Sequence, residues 1–267
     1  MTISELRKQP HLSASSISEY IDCSLSYKFS RIDLIRPEFK IDALEFGTVI
    51  HEVLAFNNSE RKLMEKNLKL DEIIRFFEQK WKSVAEDNSN IRYKEGKNFN
   101  VLLNEGKSLL TAHYNSCSQD NFRVVAIEEP VSFIMEGIPV PIIGVVDLIE
   151  EDDSGTVVIT DYKTSSKAYS EDDIEGNPQL TLYYMALKSN GYGNREILLK
   201  FDVLIKTKTP KFEQYYVTKT EMDVRRMKKK IHQVWDGISK GVYIPNDGNW
   251  KCKGCFYKSH CDEWFRR

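Results

Sequence analysis

The chain has 267 residues, 41% of them hydrophobic and 29% charged, with 11% aromatics and a net charge of −2. That length admits one large or two small domains with a sizeable core, and no apolar run approaches the roughly 20 residues of a membrane span. A near-neutral total excludes a global electrostatic argument for nucleic acid, and the first residues, MTISELRKQP, lack the charged-then-apolar layout of a secretory leader, so a cytoplasmic protein without a membrane partner is expected.

The local charge pattern says more. Residues 126–175 hold 13 acidic side chains against Lys163 and Lys167, whereas residues 206–267 hold 15 Lys and Arg against 7 Asp and Glu. An acidic centre beside a basic tail suits cation binding in one region and phosphate binding in another, or two solvated faces.

In chain order, Leu12 to Tyr27 reads as a helix with Ser16 and Glu19 at capping-box spacing and Ile17, Tyr20, Ile21 and Leu25 as its stripe. A second helix starts at Asp42, with Phe46, Val49, Ile50, Val53 and Leu54 at helical period. On it Gly47 and His51 stack one turn apart, and the glycine leaves room beside the imidazole. Taken singly, His51 reads as a hydrogen-bonded structural histidine or as a ligand. Helices over Asp71–Val84 and Asn98–Cys117 read as core-covering, separated by a polar connection from Asp87 to Lys97. Cys117, near the end of the second, reads as an ordinary buried thiol.

The pattern then turns to strands: Arg123–Met135, Ile138–Glu150 and Thr156–Tyr162 form a meander, with the acidic turn Asp152–Gly155 between the last two. Side chains alternate faces along a strand, so Asp161 and Lys163 share one face and Tyr162 takes the other. Pairing of these strands would bring Asp147 near Asp161. After a polar loop, Thr164–Gly176, a helix over Asn177–Ser189 puts Gln179 and Tyr183 on one face. Strands at Leu198–Lys206 and Phe212–Val217 and a basic helix at Glu221–Lys240 follow. With no repeat and no long linker, a single domain is expected: a helical part (12–122), a core (123–240) and a tail (241–267).

Two carboxylates and an ammonium at one end of an apolar sheet are costly unless cations or close pairing compensate. Asp147, Asp161 and His51, with a backbone carbonyl near Tyr162, make a ligand set for Mg2+ or Mn2+; a strand-end ion pair is the alternative. Lys163 would position or deprotonate a water, or stabilise developing phosphate charge. In the tail, Cys252, Cys255 and Cys261 form C-x2-C-x5-C, and Cys23 is the natural fourth partner; clustered cysteines in a cytosolic chain point away from disulfides.

The ordered set G-x-x-x-H (Gly47, His51), G-V-V-D (Asp147), D-Y-K (Asp161 to Lys163) and Q-x-x-x-Y (Gln179, Tyr183) resembles the PD-(D/E)XK nuclease superfamily, in its RecB-like branch. The early cysteine with the C-terminal trio resembles the iron–sulfur nucleases, among them CRISPR-associated RecB-like exonucleases and AddB-type nuclease domains. The resemblance implies a mixed α/β fold, a central mixed sheet flanked by helices. It implies metal binding by His51, Asp147, Asp161 and Tyr162, catalysis by Asp147, Asp161 and Lys163, and assistance at the DNA by Gln179 and Tyr183. It also implies a [4Fe–4S] cluster on Cys23, Cys252, Cys255 and Cys261, with tetrahedral Zn2+ the competing occupant. The expected activity is exonucleolytic, favouring single-stranded DNA or free ends, in recombination and repair, CRISPR adaptation or phage DNA processing. No G-x-x-x-x-G-K-[ST] phosphate loop is present, so unwinding would come from a helicase or CRISPR-adaptation partner. A non-catalytic DNA-binding or adaptor module is the alternative from another class.

Overall fold

The computed structural model describes residues 3–86, 88–117, 122–248 and 250–266. It opens with α1 (Ile3–Arg7), α2 (Ala14–Asp22) and α3 (Ser24–Tyr27), the last running into a π-helical turn over Lys28–Ile32. The single helix expected from Leu12 to Tyr27 is therefore broken. Cys23, in an extended conformation (φ −163°, ψ 100°), ends α2 and starts α3. The cap also differs from expectation: Ser13 N donates to Ser16 Oγ at 2.8 Å and Ser16 N to Ser13 Oγ at 3.2 Å. Because the helix begins at Ala14, Glu19 lies beyond its first turn, where its carboxylate accepts from Ser30 Oγ (2.7 Å) and Arg31 Nε (3.2 Å).

Next come β1 (Lys40–Ile41), α4 (Asp42–Met64), α5 (Leu70–Ala85), β2 (Ile91–Arg92) and α6 (Phe99–Cys117), with β1 and β2 paired in parallel. The expected stripe of α4 is its buried face. Phe46, Val49, Ile50, Val53 and Leu54 pack with Ile73, Phe77 and Trp81 of α5 and Leu102, Leu109 and Leu110 of α6. Each such side chain contributes roughly 1.5–3 kcal/mol on burial. The α5–α6 approach requires a glycine, since a Cβ on Gly106 would lie 2.0 Å from the Phe77 ring. Asp87 and the side chain of Cys117 lie outside the described residues.

Five strands form the main sheet: β3 (Arg123–Met135), β4 (Ile138–Glu151), β5 (Val157–Ser165), β6 (Ile197–Ile205) and β7 (Lys211–Val217), in the order β3-β4-β5-β6-β7. β4 and β5 are antiparallel, β5 and β6 parallel, β6 and β7 antiparallel, so the sheet is mixed. The parallel step is made by a crossover through α7 (Glu171–Glu175), which lies in the expected polar loop, and α8 (Pro178–Ser189). Asn177 caps α8, its side chain accepting from Gln179 N at 2.9 Å, and Pro178 fills the first helical position, where no N–H is needed. The chain ends with α9 (Glu221–Ser239), a 3-10 turn over Trp250–Gly254 and α10 (Lys258–Trp264).

By contact density the chain divides into two units. One holds Met1–Phe39, Ser132–Gly144 and Lys219–Arg267; the other holds Lys40–Val131 and Val145–Thr218. In the first, Leu12 bridges to the strand at Ile142, with Leu12 N donating to Pro141 O and Ile143 N to Leu12 O. The second carries the α4–α6 core and most of the sheet. Among the described residues no helix is long and apolar enough to cross a membrane.

Candidate active site

The register of β4 on β5 sets the site. Leu148 faces Thr160 and Glu151 faces Val157, so Asp147 and Asp161 lie one step beyond this ladder, on neighbouring strands. There the Asp147 carboxylate takes a backbone partner directly: Tyr162 N donates to its Oδ2 at 2.7 Å. β5 continues to Ser165, past the expected end at Tyr162, so Asp161 and Lys163 sit inside a strand paired to Phe201 and Val203 of β6. His51 projects from α4 and its Nδ1 lies 3.4 Å from Asp147 Oδ2. Gly47, one turn earlier, lines the same cleft, but a Cβ there would meet only Thr164 Oγ1 at 3.5 Å, an ordinary contact.

Asp161 is fully buried. Lys163 Nζ lies 2.5 Å from its Oδ2, while its Oδ1 receives no hydrogen bond from the described residues. Burial pushes this carboxyl up to about 6, against the pull of the Lys163 ammonium. Burial draws Lys163 down, but the Asp161 charge beside it outweighs this and holds the ammonium above its ordinary value. His51 follows the same pattern: burial lowers it, and the hydrogen bond and charge of Asp147 raise it further than burial lowers it.

A hydrogen-bonded chain continues from the lysine. Lys163 Nζ donates to Gln179 Oε1 at 2.9 Å, Gln179 Nε2 donates to the Tyr183 hydroxyl at 2.6 Å, and that hydroxyl donates to Val145 O. An ammonium only donates, so the Gln179 oxygen must face it and the amide nitrogen must face the tyrosine. Burial raises the Tyr183 phenol well above its usual value, so it remains a donor to the strand. Tyr162 turns to the other face, as expected, where its hydroxyl accepts from buried Asn58 Nδ2 at 2.9 Å.

The sequence reading missed Glu128. Its carboxylate, the His51 imidazole and the Asp147 carboxylate offer ligand atoms all within 4.8 Å of one another. Glu128 sits within β3 at φ +48°, a left-handed conformation that is strained for a side-chain-bearing residue. The only sequence signal was the pair Glu128-Glu129 immediately before Pro130, a residue that disrupts a strand ladder. Together His51, Glu128 and Lys163 line a cleft of 1120 Å³. An imidazole with several carboxylates, one buried oxygen lacking a donor, fits a hard divalent ion such as Mg2+, and the imidazole suits Mn2+.

The other predicted set lies in the first unit. Cys23, Cys252, Cys255 and Cys261 all line one small cavity of 60 Å³ with Leu25, Phe29 and Tyr257. The extended residue that breaks the N-terminal helix is thus the one that faces the tail. Asp22 and Ser24 on either side anchor it: Lys251 Nζ reaches Asp22 Oδ2 at 2.6 Å, and Ile244 N donates to Ser24 Oγ at 2.6 Å. Burial raises the thiols of Cys255 and Cys261, with the neighbouring cysteines adding to the effect.

The profile of the PD-(D/E)XK nuclease superfamily matches residues 11–262. The chain belongs to that superfamily. Its fold is similar to the crystal structure of a candidate exonuclease from Eubacterium rectale, with a TM-score of 0.61 and 10% identity over 94% of this chain and 90% of that one. The crystal structure of SSO0001 aligns at 14% identity over 88% of this chain and 92% of that one, with a TM-score of 0.37. No curated protein sequence matches. Superfamily membership and the mixed sheet agree with the fold class expected from the motifs, and they make this chain a nuclease whose relatives use divalent metals.

Proposed function

We propose that the chain is a metal-dependent exonuclease of the RecB-like branch, acting as one nuclease domain on single-stranded DNA or free DNA ends. The observation that carries this reading is the convergence of His51, Glu128 and Asp147 within 4.8 Å, beside a fully buried Asp161 whose Oδ1 has no donor. In this reading His51, Asp147, Asp161 and the Tyr162 carbonyl hold Mg2+ or Mn2+, with Glu128 an added carboxylate. A cation there supplies charge neutralisation at the scissile phosphate and acidifies water. Lys163, fixed between Asp161 and Gln179, stabilises the negative charge that develops on the phosphate oxygens. Gln179 and Tyr183 position that ammonium, because both ends of the amide are already engaged.

Cys23, Cys252, Cys255 and Cys261 are read as ligands of a [4Fe–4S] cluster, with Zn2+ the competitor; four thiols around one cavity support either, and a brown anaerobic preparation supports iron. Recombination and repair, CRISPR adaptation or phage DNA processing, with a helicase or adaptation partner, are the settings that suit such an activity. The test is degradation of end-labelled oligonucleotides with Mn2+ or Mg2+. Lys163→Ala should slow cleavage by roughly 10²–10³ without changing the fold; full activity in that variant would remove Lys163 from the mechanism.

A further inference from the structure

The helix α4 has two faces. Its buried stripe belongs to the core, but a second set at i, i+3/i+4 spacing, including Gly47, His51, Ala55, Phe56, Ser59 and Lys62, lines the cleft. Midway along this second face the apolar-to-polar logic of a solvated helix fails. Phe56 lies there half-buried, stacked on Phe76 of α5 with ring centroids 4.2 Å apart and planes 24° apart. The contrast with the adjacent Phe77 is informative. Phe77 is fully buried and packs edge-on against Phe46, as core aromatics do, whereas Phe76 sits one position off the buried stripe and borders the cleft.

One cation, Lys80, borders the pair, and two others line the same cleft. Lys80 Nζ lies 5.5 Å from the Phe76 ring centre and 2.9 Å from Glu52, and Lys62 donates to Val125 O at 2.7 Å. Lys206, on the same cleft, lies 5.3 Å from the Phe46 ring centre. Parallel aromatic rings edged by ammonium groups are the combination that binds single strands: bases stack while phosphates meet cations.

We propose that Phe56 and Phe76 form a nucleobase-stacking subsite, in which an unpaired base extends the two-ring stack within the cleft that His51 lines. A base inside a duplex has both faces occupied by its neighbours and cannot do this, so the subsite selects single strands and frayed ends. This rests on the nuclease reading above and adds the feature by which the cleft distinguishes its substrate.

The test measures binding of the full chain, in Ca2+, to a fluorescein-labelled single-stranded oligothymidylate and to an abasic oligonucleotide of equal length, with probe integrity checked on a denaturing gel. The base-bearing strand should bind about 5- to 150-fold more tightly, the range expected for one stacked base. Phe56→Leu, which keeps an apolar side chain but removes the ring, should bring that ratio close to one. Phe56→Trp should preserve or increase it, and both variants should melt as the parent does. Equal affinity of the parent protein for the two probes overturns the proposal. So does a ratio unchanged in both Phe56→Leu and Phe76→Leu, which would put the stacking elsewhere. Failure of the nuclease reading looks different: no cleavage with Mn2+ or Mg2+ whatever the base dependence of binding.

Discussion

The cleft and the cysteine cavity each gather side chains from distant parts of the chain, but different forces hold them. Behind the cleft stand paired strands and, among the described residues, a core of 17 buried residues from α4, α5, α6, β2 and the main sheet. Behind the cysteines stand, among the described residues, three buried residues, Leu25, Phe29 and Tyr257, with partly buried Ile35, Tyr243 and Phe256 and short helices and turns around them. A site built on a sheet keeps its geometry without a ligand. Four cysteines on such segments have little apolar packing to hold them, burial disfavours the thiolates of Cys255 and Cys261, and in the reading proposed above a shared metal is what fixes all four.

The two regions part most clearly when the proposed ligand of one and a functional side chain of the other are removed. Cys252→Ala, or chelation, should destabilise the segments around Cys23 and the tail by roughly 4 kcal/mol, the linkage energy of a ligand at a thousand times its Kd. The readout is a lower melting temperature together with proteolysis near residues 245–255. Lys163→Ala, which removes the partner of buried Asp161 in the other unit, should leave the proteolysis near residues 245–255 unchanged whatever it does to the melting temperature. Equal melting of Cys252→Ala and the parent would mean that the small apolar cluster suffices and the comparison is wrong.

A second test probes the core under the cleft by pH. His113 is packed edge-on against Tyr162 and Phe212, and burial, with the Lys200 and Arg61 charges, lowers its pKa from 6.5 to about 4. As pH falls below 6.5 the unfolded chain takes up a proton that the folded chain refuses, so stability is lost through this window and the loss is complete near pH 4. A shift of this size corresponds to about 3 kcal/mol. Urea unfolding of the parent should therefore weaken more between pH 7 and pH 4 than that of His113→Gln, by about this amount. Parallel pH profiles would show that His113 is solvated and the core beneath the site looser than its packing indicates.

The two regions also differed in what the residues alone disclosed. The elements around the cleft follow from periodicity: the α4 stripe from Phe46 to Leu54, the alternation that sends Asp161 and Lys163 to one face, and the Gln179–Tyr183 spacing. Chain order then grouped His51, Asp147, Asp161 and Lys163. Glu128 escaped because a carboxylate on a strand looks like any solvated strand residue, and its left-handed backbone is one that a side-chain-bearing residue gives no reason to expect. The break at Cys23 escaped for the opposite reason. Helical period continues through Leu25, and what interrupts it is a set of partners more than 200 positions away, at Ile244 and Lys251. Sequence pattern reports local preference, and the break at Cys23 occurs where long-range contacts override it.

Glu128 offers a smaller test of the cleft side. Glu128→Gln removes a charge but little volume, and should raise the Mn2+ concentration for half-saturation about tenfold, or 1.4 kcal/mol, read by electron paramagnetic resonance of free Mn2+. Asp161→Asn should weaken binding at least as much. If Glu128→Gln binds Mn2+ as the parent does, the left-handed residue has no part in the metal site.

The smallest expected effect separates stability from positioning. The Tyr162 hydroxyl accepts from Asn58 Nδ2, and Asn58 is only 3% exposed, so Tyr162→Phe leaves a buried amide N–H short of a partner at a cost of about 1 kcal/mol. The same tyrosine holds Asp147 through its backbone N–H, which the substitution does not touch. If the β4–β5 ladder and its parallel pairing to β6 fix that backbone, urea unfolding should register the loss while cleavage and Mn2+ affinity stay at the parental level. Should cleavage fall together with stability, the hydroxyl is part of what aims Asp147. The cleft would then depend on a single buried hydrogen bond as the cysteine cavity is proposed to depend on a bound metal, and the contrast between the two regions would narrow to one of degree.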